Sequence, residues 1–134
     1  MSYGNFKIPQ PHNEPVLNYI EGSSEKQAVK EALKQAKSQE IDVPMYIGSE
    51  KIRTGKKVKM SPPHDHQYVL GHFHEGDASH VHDAIEAALA AKESWAKLSW
   101  EHRAAIFLKA ADLIAGPYRA KINAATMLGQ SKNI

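Results

Sequence analysis

Residues 104–115 read "AAIFLKAADLIA", and they constrain the chain more than any other stretch. An α-helix turns 100° per residue, so Ala104, Ala105, Ile106, Phe107, Leu108, Ala110, Ala111, Leu113 and Ile114 nearly encircle it. A helix that is apolar on almost every side has to be buried on most of them. Whatever this chain folds into must therefore surround that helix, or leave the task to something else.

The remainder of the 134 residues offers limited cover. Pro9, Pro11 and Pro15, without clear periodicity, predict an extended arm over 1–22 that lies on another surface. "SSEKQAVKEALKQAKSQ" predicts a helix over 24–39, with Ser24 and Gln27 as a capping box and Ala28, Val29, Ala32, Leu33 and Ala36 as the apolar stripe. Between 43 and 76, short apolar stretches broken by Gly48, Gly55 and Pro62–Pro63 predict three or four short antiparallel strands in a meander. From Asp77 the pattern becomes helical. Val81, Ile85, Ala88, Leu89 and Trp95 give a helix over 79–97, with Asp77 or Ser79 as N-cap. Further helices follow over 101–115 and 117–128, with Pro117 in the first turn and Gly129 as the C′ residue. About four helices and a small meander make an α+β body. It is too little to enclose 104–115, and the chain stops five residues after Gly129, so residues 23–134 are expected to be an incomplete part of a larger domain.

Composition removes several function classes. Apolar residues at 42% and charged residues at 24% are those of a globular protein. A net charge of +2 is small for nucleic-acid binding, and Lys51, Lys56, Lys57 and Lys59 sit near a turn without interleaved aromatics. No cysteine is present, which excludes disulfides, zinc–thiolate sites and a cysteine nucleophile within these residues. No apolar run is long enough for a membrane span. The opening "MSYGNFKIPQPHNEP" has neither an apolar signal core nor an arginine-rich amphipathic pattern, so a cytoplasmic location is expected.

Six histidines between 64 and 82 form three His-x-His pairs. On a strand, His72 and His74 share a face and could reach one ion. His64 and His66 flank a double proline, however, and His80 and His82 diverge by about 200° on a helix. The spacing of known zinc enzymes is missing. A polar surface hairpin is the simpler reading, and a free-standing histidine-rich module for Zn²⁺ or Ni²⁺ is the alternative. Glu40 with Asp42, and Asp83 with Glu86, read as solvated carboxylates rather than acid–base pairs. Trp95 and Trp100 flank a helix joint and read as core. Glycine-rich nucleotide loops and serine-nucleophile motifs are absent. No residue of the chain is expected to be catalytic, cofactor-binding or metal-binding.

The stretch "AIEAALAAKESWAKLSWEHRAAIFLKAADLIAGPYRAKINAATMLGQSKN", residues 84–133, resembles the early region of aldehyde dehydrogenases. In that superfamily an "A-I-E-A-A" helix ending near tryptophan precedes a helix that starts near an arginine, here Arg103. "IFLKAADLIAGPYR" and "ATMLGQSKN", with "NEPVLNY" at 13–19 and "SPPHDH" at 61–66, are similar to the Δ1-pyrroline-5-carboxylate (L-glutamate γ-semialdehyde) dehydrogenase branch. The resemblance implies a parent enzyme that oxidises L-glutamate γ-semialdehyde to L-glutamate with NAD⁺ in proline catabolism. It implies a cysteine nucleophile, a glutamate that assists thioester hydrolysis, and an oxyanion site of asparagine and backbone N–H. None of these maps onto a position of this chain. What maps is scaffold: an arm, a strand pair, and helices of the NAD-binding domain. The implied partners are the rest of the parent polypeptide and, through exposed "AAIFLKAADLIA", other copies of the chain. Another aldehyde stays open as substrate, because the pocket and not the fold selects it.

Overall fold

The computed structural model describes residues 9–134. The part of the expected arm over 1–8 lies outside them, and residues 9–20 carry no helix or strand. The elements in order are α1 (Ser24–Lys37), β1 (Ile41–Val43), β2 (Met45–Ile47), β3 (Glu50–Ile52), β4 (Lys57–Met60), β5 (Gly71–His74), α2 (Ala78–Lys97), α3 (Trp100–Ala115) and α4 (Arg119–Gln130).

Helix α1 starts one residue earlier than the Ser24–Gln27 capping box implies. Ser23 is the N-cap and its hydroxyl accepts from the Lys26 N–H at 3.3 Å, while the Ser24 hydroxyl turns to Glu25. Glu21, just before the helix, takes Lys26 at 2.6 Å and Lys30 at 3.3 Å, and these two ammonium groups hold its carboxyl below the usual range. Lys34 and Lys37 sit in the last turn, where cations favour the helix dipole.

The expected antiparallel meander is replaced by two sheets. β2 and β3 form an antiparallel hairpin, Met45 opposite Ile52 and Ile47 opposite Glu50, across a two-residue turn in which Gly48 has φ +58°. The other sheet has the order β1-β5-β4. β4 and β5 are antiparallel, but β1 runs parallel to β5, with Ile41 opposite Gly71 and Val43 opposite Phe73. Gly71 makes this possible. It has φ +151°, and a Cβ there would lie 2.0 Å from the Ile41 carbonyl oxygen. Hydrophobic alternation carries no information on strand direction, which is why the sequence pattern alone suggested a meander.

The loop between β4 and β5 is pinned from two sides. The Tyr68 hydroxyl donates to the Lys37 carbonyl at the end of α1 (2.6 Å), and His64 Nδ1 lies 2.7 Å from Ser131 Oγ just past α4. Ser131 is the left-handed residue after α4, at φ +53°, and Gly129 lies inside the helix rather than at C′. Pro117 is not in the first turn of α4 either. Residues 116–118 form a turn in which Tyr118 N–H reaches Leu113 O and Arg119 N–H reaches Gly116 O, which delays the helix to Arg119.

The core lies mainly where α1 packs on α4. Val29, Ala124 and Leu128 are the buried hydrophobic side chains among the described residues, with Pro62 fully enclosed. α3 also touches α4, and α2 touches β2. Neither α2 nor α3 has a single buried residue. Trp95 and Trp100 are 41% and 50% exposed, contrary to their expected place in a core. The helix required by its composition to be buried is open: Ile106, Phe107, Leu108 and Ile114 are all more than half exposed. Among the described residues, nothing covers these side chains.

Candidate functional site

A connected polar cluster is built on the parallel pairing. β5 ends in His74, whose side chain is 1% exposed. β1 places Asp42 so that its Oδ1 lies 3.0 Å from His74 Nε2. The turn after β3 brings the Thr54 N–H to 2.8 Å from His74 Nδ1, with the Thr54 carbonyl at the same distance. With the ring proton on Nε2, His74 donates to Asp42 and its Nδ1 accepts from the Thr54 amide; with it on Nδ1, the ring donates to the Thr54 carbonyl. Thr54 Oγ1 donates to the Glu75 carbonyl at 2.9 Å and so closes the β3–β4 turn on the end of β5.

Asp42 is surrounded by cations. Arg53 Nε donates to its Oδ2 at 2.7 Å and Lys57 Nζ to its Oδ1 at 3.4 Å. Arg53, then His74, hold its carboxyl well below the usual aspartate range, against a smaller opposing effect of desolvation. Such a carboxylate is a poor proton acceptor. The Asp–His geometry is that of two members of a catalytic triad, yet the third place is filled by a backbone amide, with no hydroxyl or thiol for the ring to activate. The cluster is a clamp between β1, β5 and the β3–β4 turn.

The other sequence candidates are dispersed. His72 Nδ1 approaches Glu40 only to 3.9 Å. His64 binds Ser131, and His66 contributes its carbonyl to Lys59. His80 belongs to the start of α2, where Asp77 and not Ser79 is the N-cap: Asp77 accepts from the Ser79 and His80 N–H groups at 2.9 and 3.3 Å, and His80 Nδ1 lies 3.1 Å from the Asp77 nitrogen. Hydrogen bonds from the Ser79 hydroxyl, then the His80 ring, hold the Asp77 carboxyl well below its ordinary value. Among the described residues no group of three or more His, Asp or Glu could hold a metal ion. Asp42, read from sequence as a solvated carboxylate beside Glu40, is exposed and joins the clamp. Its partner His74 is 32 positions away, and only the parallel register joins them.

Two of the surface clefts flank the helices. One, of about 530 Å³, lies between the arm and α3–α4 and includes His12, Glu14, Asp112 and Arg119; the Arg119 guanidinium there donates to the Pro15 carbonyl at 2.8 Å. The other, of about 800 Å³, runs between the β2–β3 hairpin and α2 and is lined by Met45, Ile47, Val81 and Ile85. No helix among the described residues is long and apolar enough to cross a membrane.

This arrangement of short strands and open helices is that of a known class. Residues 49–134 match the model of the aldehyde dehydrogenase family, and the chain belongs to that family. Within it, the chain is 49% identical over 129 residues to a Delta-1-pyrroline-5-carboxylate dehydrogenase of Agaricus bisporus, covering 96% of this chain and 24% of that protein. The mitochondrial enzyme of the same name from Homo sapiens is 42% identical over 91% of the chain and 22% of its own length. The crystal structure of Delta-pyrroline-5-carboxylate dehydrogenase from Mycobacterium tuberculosis bound with NAD superposes with a TM-score of 0.92 at 40% identity, over 96% of this chain and 24% of that one. The chain thus spans about a quarter of the length of these relatives.

Among the described residues, the turn from β5 into α2 does not fit the pyrophosphate of a dinucleotide. A pyrophosphate needs free N–H groups at a strand-to-helix turn, usually with glycines for close approach. The turn from β5 into α2 is "EGD", and the Asp77 carboxylate already occupies the N–H groups that a phosphate would take. A fixed negative charge at that position repels the ligand.

Proposed function

We propose that this chain supplies the first scaffold layer of an NAD-dependent dehydrogenase that oxidises L-glutamate γ-semialdehyde to L-glutamate, and that it is inactive alone. The observation that carries this reading is the 49% identity to the Agaricus bisporus enzyme across 96% of the chain. Residues 1–22 act as an arm and residues 23–134 as the start of the catalytic domain. The thiolate, the hydrolytic glutamate and the cofactor cradle come from outside these residues, in keeping with a sequence that holds no cysteine. A cytoplasmic setting remains part of the proposal, although the human and Dictyostelium discoideum relatives are named as mitochondrial.

A chimera tests it. These 134 residues replace the matching quarter of the Agaricus bisporus enzyme, and NADH formation from glutamate γ-semialdehyde is followed. The expected rate is within about tenfold of the unaltered enzyme, since a conserved-volume scaffold costs little at a distant site. A soluble chimera that turns over only other aldehydes overturns the substrate. One that never accumulates in soluble form overturns the scaffold role.

A further inference from the structure

We infer that His74 is a proton-operated latch on the β3–β4 turn. Its neutral ring fastens the Arg53–Thr54 peptide through the Thr54 N–H. Its imidazolium releases that N–H while keeping hold of Asp42 and of the Thr54 carbonyl. This goes beyond the dehydrogenase reading and does not depend on it.

The two ring nitrogens face different surroundings. Nε2 lies 3.0 Å from Asp42 Oδ1, a contact that any ring with a proton on Nε2 satisfies. Nδ1 lies 2.8 Å from two groups of opposite kind: the Thr54 N–H, which only donates, and the Thr54 carbonyl, which only accepts. One nitrogen cannot serve both. A bare Nδ1 accepts from the N–H. A protonated Nδ1 donates to the carbonyl, and the N–H then points at another donor. The two groups belong to different peptides, 53–54 and 54–55, so protonation moves the hold of the ring from one to the next. With the side chain 1% exposed, solvent does not blur the choice.

The charged neighbours are already committed. On β1, Asp42 is held well below the usual carboxylate range, by Arg53 first and then by His74, and it stays ionised throughout the range of about pH 5 to 8 in which histidines ordinarily titrate. Arg53, beside the turn, and Lys57, opposite His74 on β4, both pair with Asp42. Glu75, next to His74, pairs with Lys56, and His72 on β5 approaches Glu40 to 3.9 Å. The ring is therefore the member of the cluster that changes state.

The turn has room to respond. Gly55 follows Thr54, and a Cβ there would meet nothing within 4 Å. Thr54 Oγ1 donates to the Glu75 carbonyl and the Glu75 N–H donates to the Lys56 carbonyl, both at 2.9 Å. Residues 54–56 thus stay tied to the end of β5 while the Arg53–Thr54 peptide turns.

The test is nitrogen NMR and amide exchange on the isotope-labelled 134-residue chain, from about pH 8 to about pH 5. At the upper end the ring shifts should report a bare Nδ1 and a protonated Nε2, with the Thr54 amide slow to exchange. At the lower end both ring nitrogens carry protons. Thr54 protection then falls at least about tenfold beyond the intrinsic pH dependence of exchange, the size expected when an amide loses its hydrogen bond. The Leu70 amide, bonded to the Met60 carbonyl at 2.9 Å, keeps its protection. His74→Asn, which cannot take up a proton, removes the pH dependence at Thr54. The ring shifts and the exchange are read on the unaltered chain, so they decide the matter even if the variant does not fold. The proposal is overturned by an Nδ1 already protonated at the upper end, or by a ring still neutral at the lower end. It is equally overturned if Thr54 protection changes less than about threefold while the ring gains its proton, or if the pH dependence persists in the variant. Loss of protection at Leu70 in step with Thr54 also sinks it, because the event is then unfolding of the sheet and not release of one peptide.

Discussion

The sheet end of the molecule and the α2–α3 end solve opposite problems. Around β1, β5 and the β3–β4 turn, the clamp's polar groups find their partners among the described residues: His74 meets Asp42 and Thr54, and Asp42 meets Arg53 and Lys57. Along α2 and α3, large apolar side chains stay about half exposed. Short-range and medium-range polar contacts can be completed by a small segment. A hydrophobic core cannot, because it needs volume on both sides of the layer. The same chain can therefore be locally finished in its hydrogen bonding and globally unfinished in its packing.

Substitutions can widen or collapse that difference. The largest loss is expected from Gly71→Ala, which forces a methyl group against the Ile41 carbonyl in a backbone conformation that L side chains rarely adopt. Urea unfolding should show at least about 3 kcal/mol of destabilisation, or no folded protein at all. His74→Ala comes next. It leaves the Thr54 amide without its ring acceptor and opens a cavity, for about 2–4 kcal/mol in the same measurement. If it costs no more than a typical surface change, the clamp is not what orders the sheet.

Acid gives a smaller, graded effect. Asp42 and Asp77 have carboxyl pKa values depressed in the folded state. Their contribution is full above the ordinary aspartate pKa of about 3.9 and disappears as the pH falls through the folded values. Thermal midpoints should hold nearly constant from pH 7 to about pH 5 and drop below about pH 4. Asp42→Asn should flatten that drop, and an unchanged slope would place the acid sensitivity elsewhere. The smallest effect belongs to Phe107→Ser in the isolated chain, within about 0.5 kcal/mol, because an exposed side chain has little packing to lose. A cost of 2 kcal/mol or more would mean that α3 is buried in solution by something the chain itself provides.

The helices were legible from sequence because their signals are local, a serine or aspartate cap and a 3.6-residue stripe, while Pro117 and Gly129 misplaced the ends of α4. Even so, Ser23 and Asp77 were separated from Ser24 and Ser79 only by which hydroxyl or carboxylate turned toward the backbone. The resemblance of 84–133 to aldehyde dehydrogenases rests on that same helical block, and the family match covers it. The clamp was not legible. Asp42 stood out as a carboxylate and His74 as one of a pair, but no rule of spacing links two residues 32 positions apart through a parallel strand. Nor could sequence alone place Trp95 and Trp100, whose fate depends on atoms outside these residues.

The sheet order β1-β5-β4 also makes the two borders of that sheet unequal. On one border β4 carries exposed Lys57 and Lys59, flexible charges of the kind that discourage strand-by-strand growth. On the other, β1 carries exposed Ile41 and Val43 on a short three-residue strand. Of the two borders, the β1 border is therefore the less guarded against a further strand, which gives the sheet a polarity.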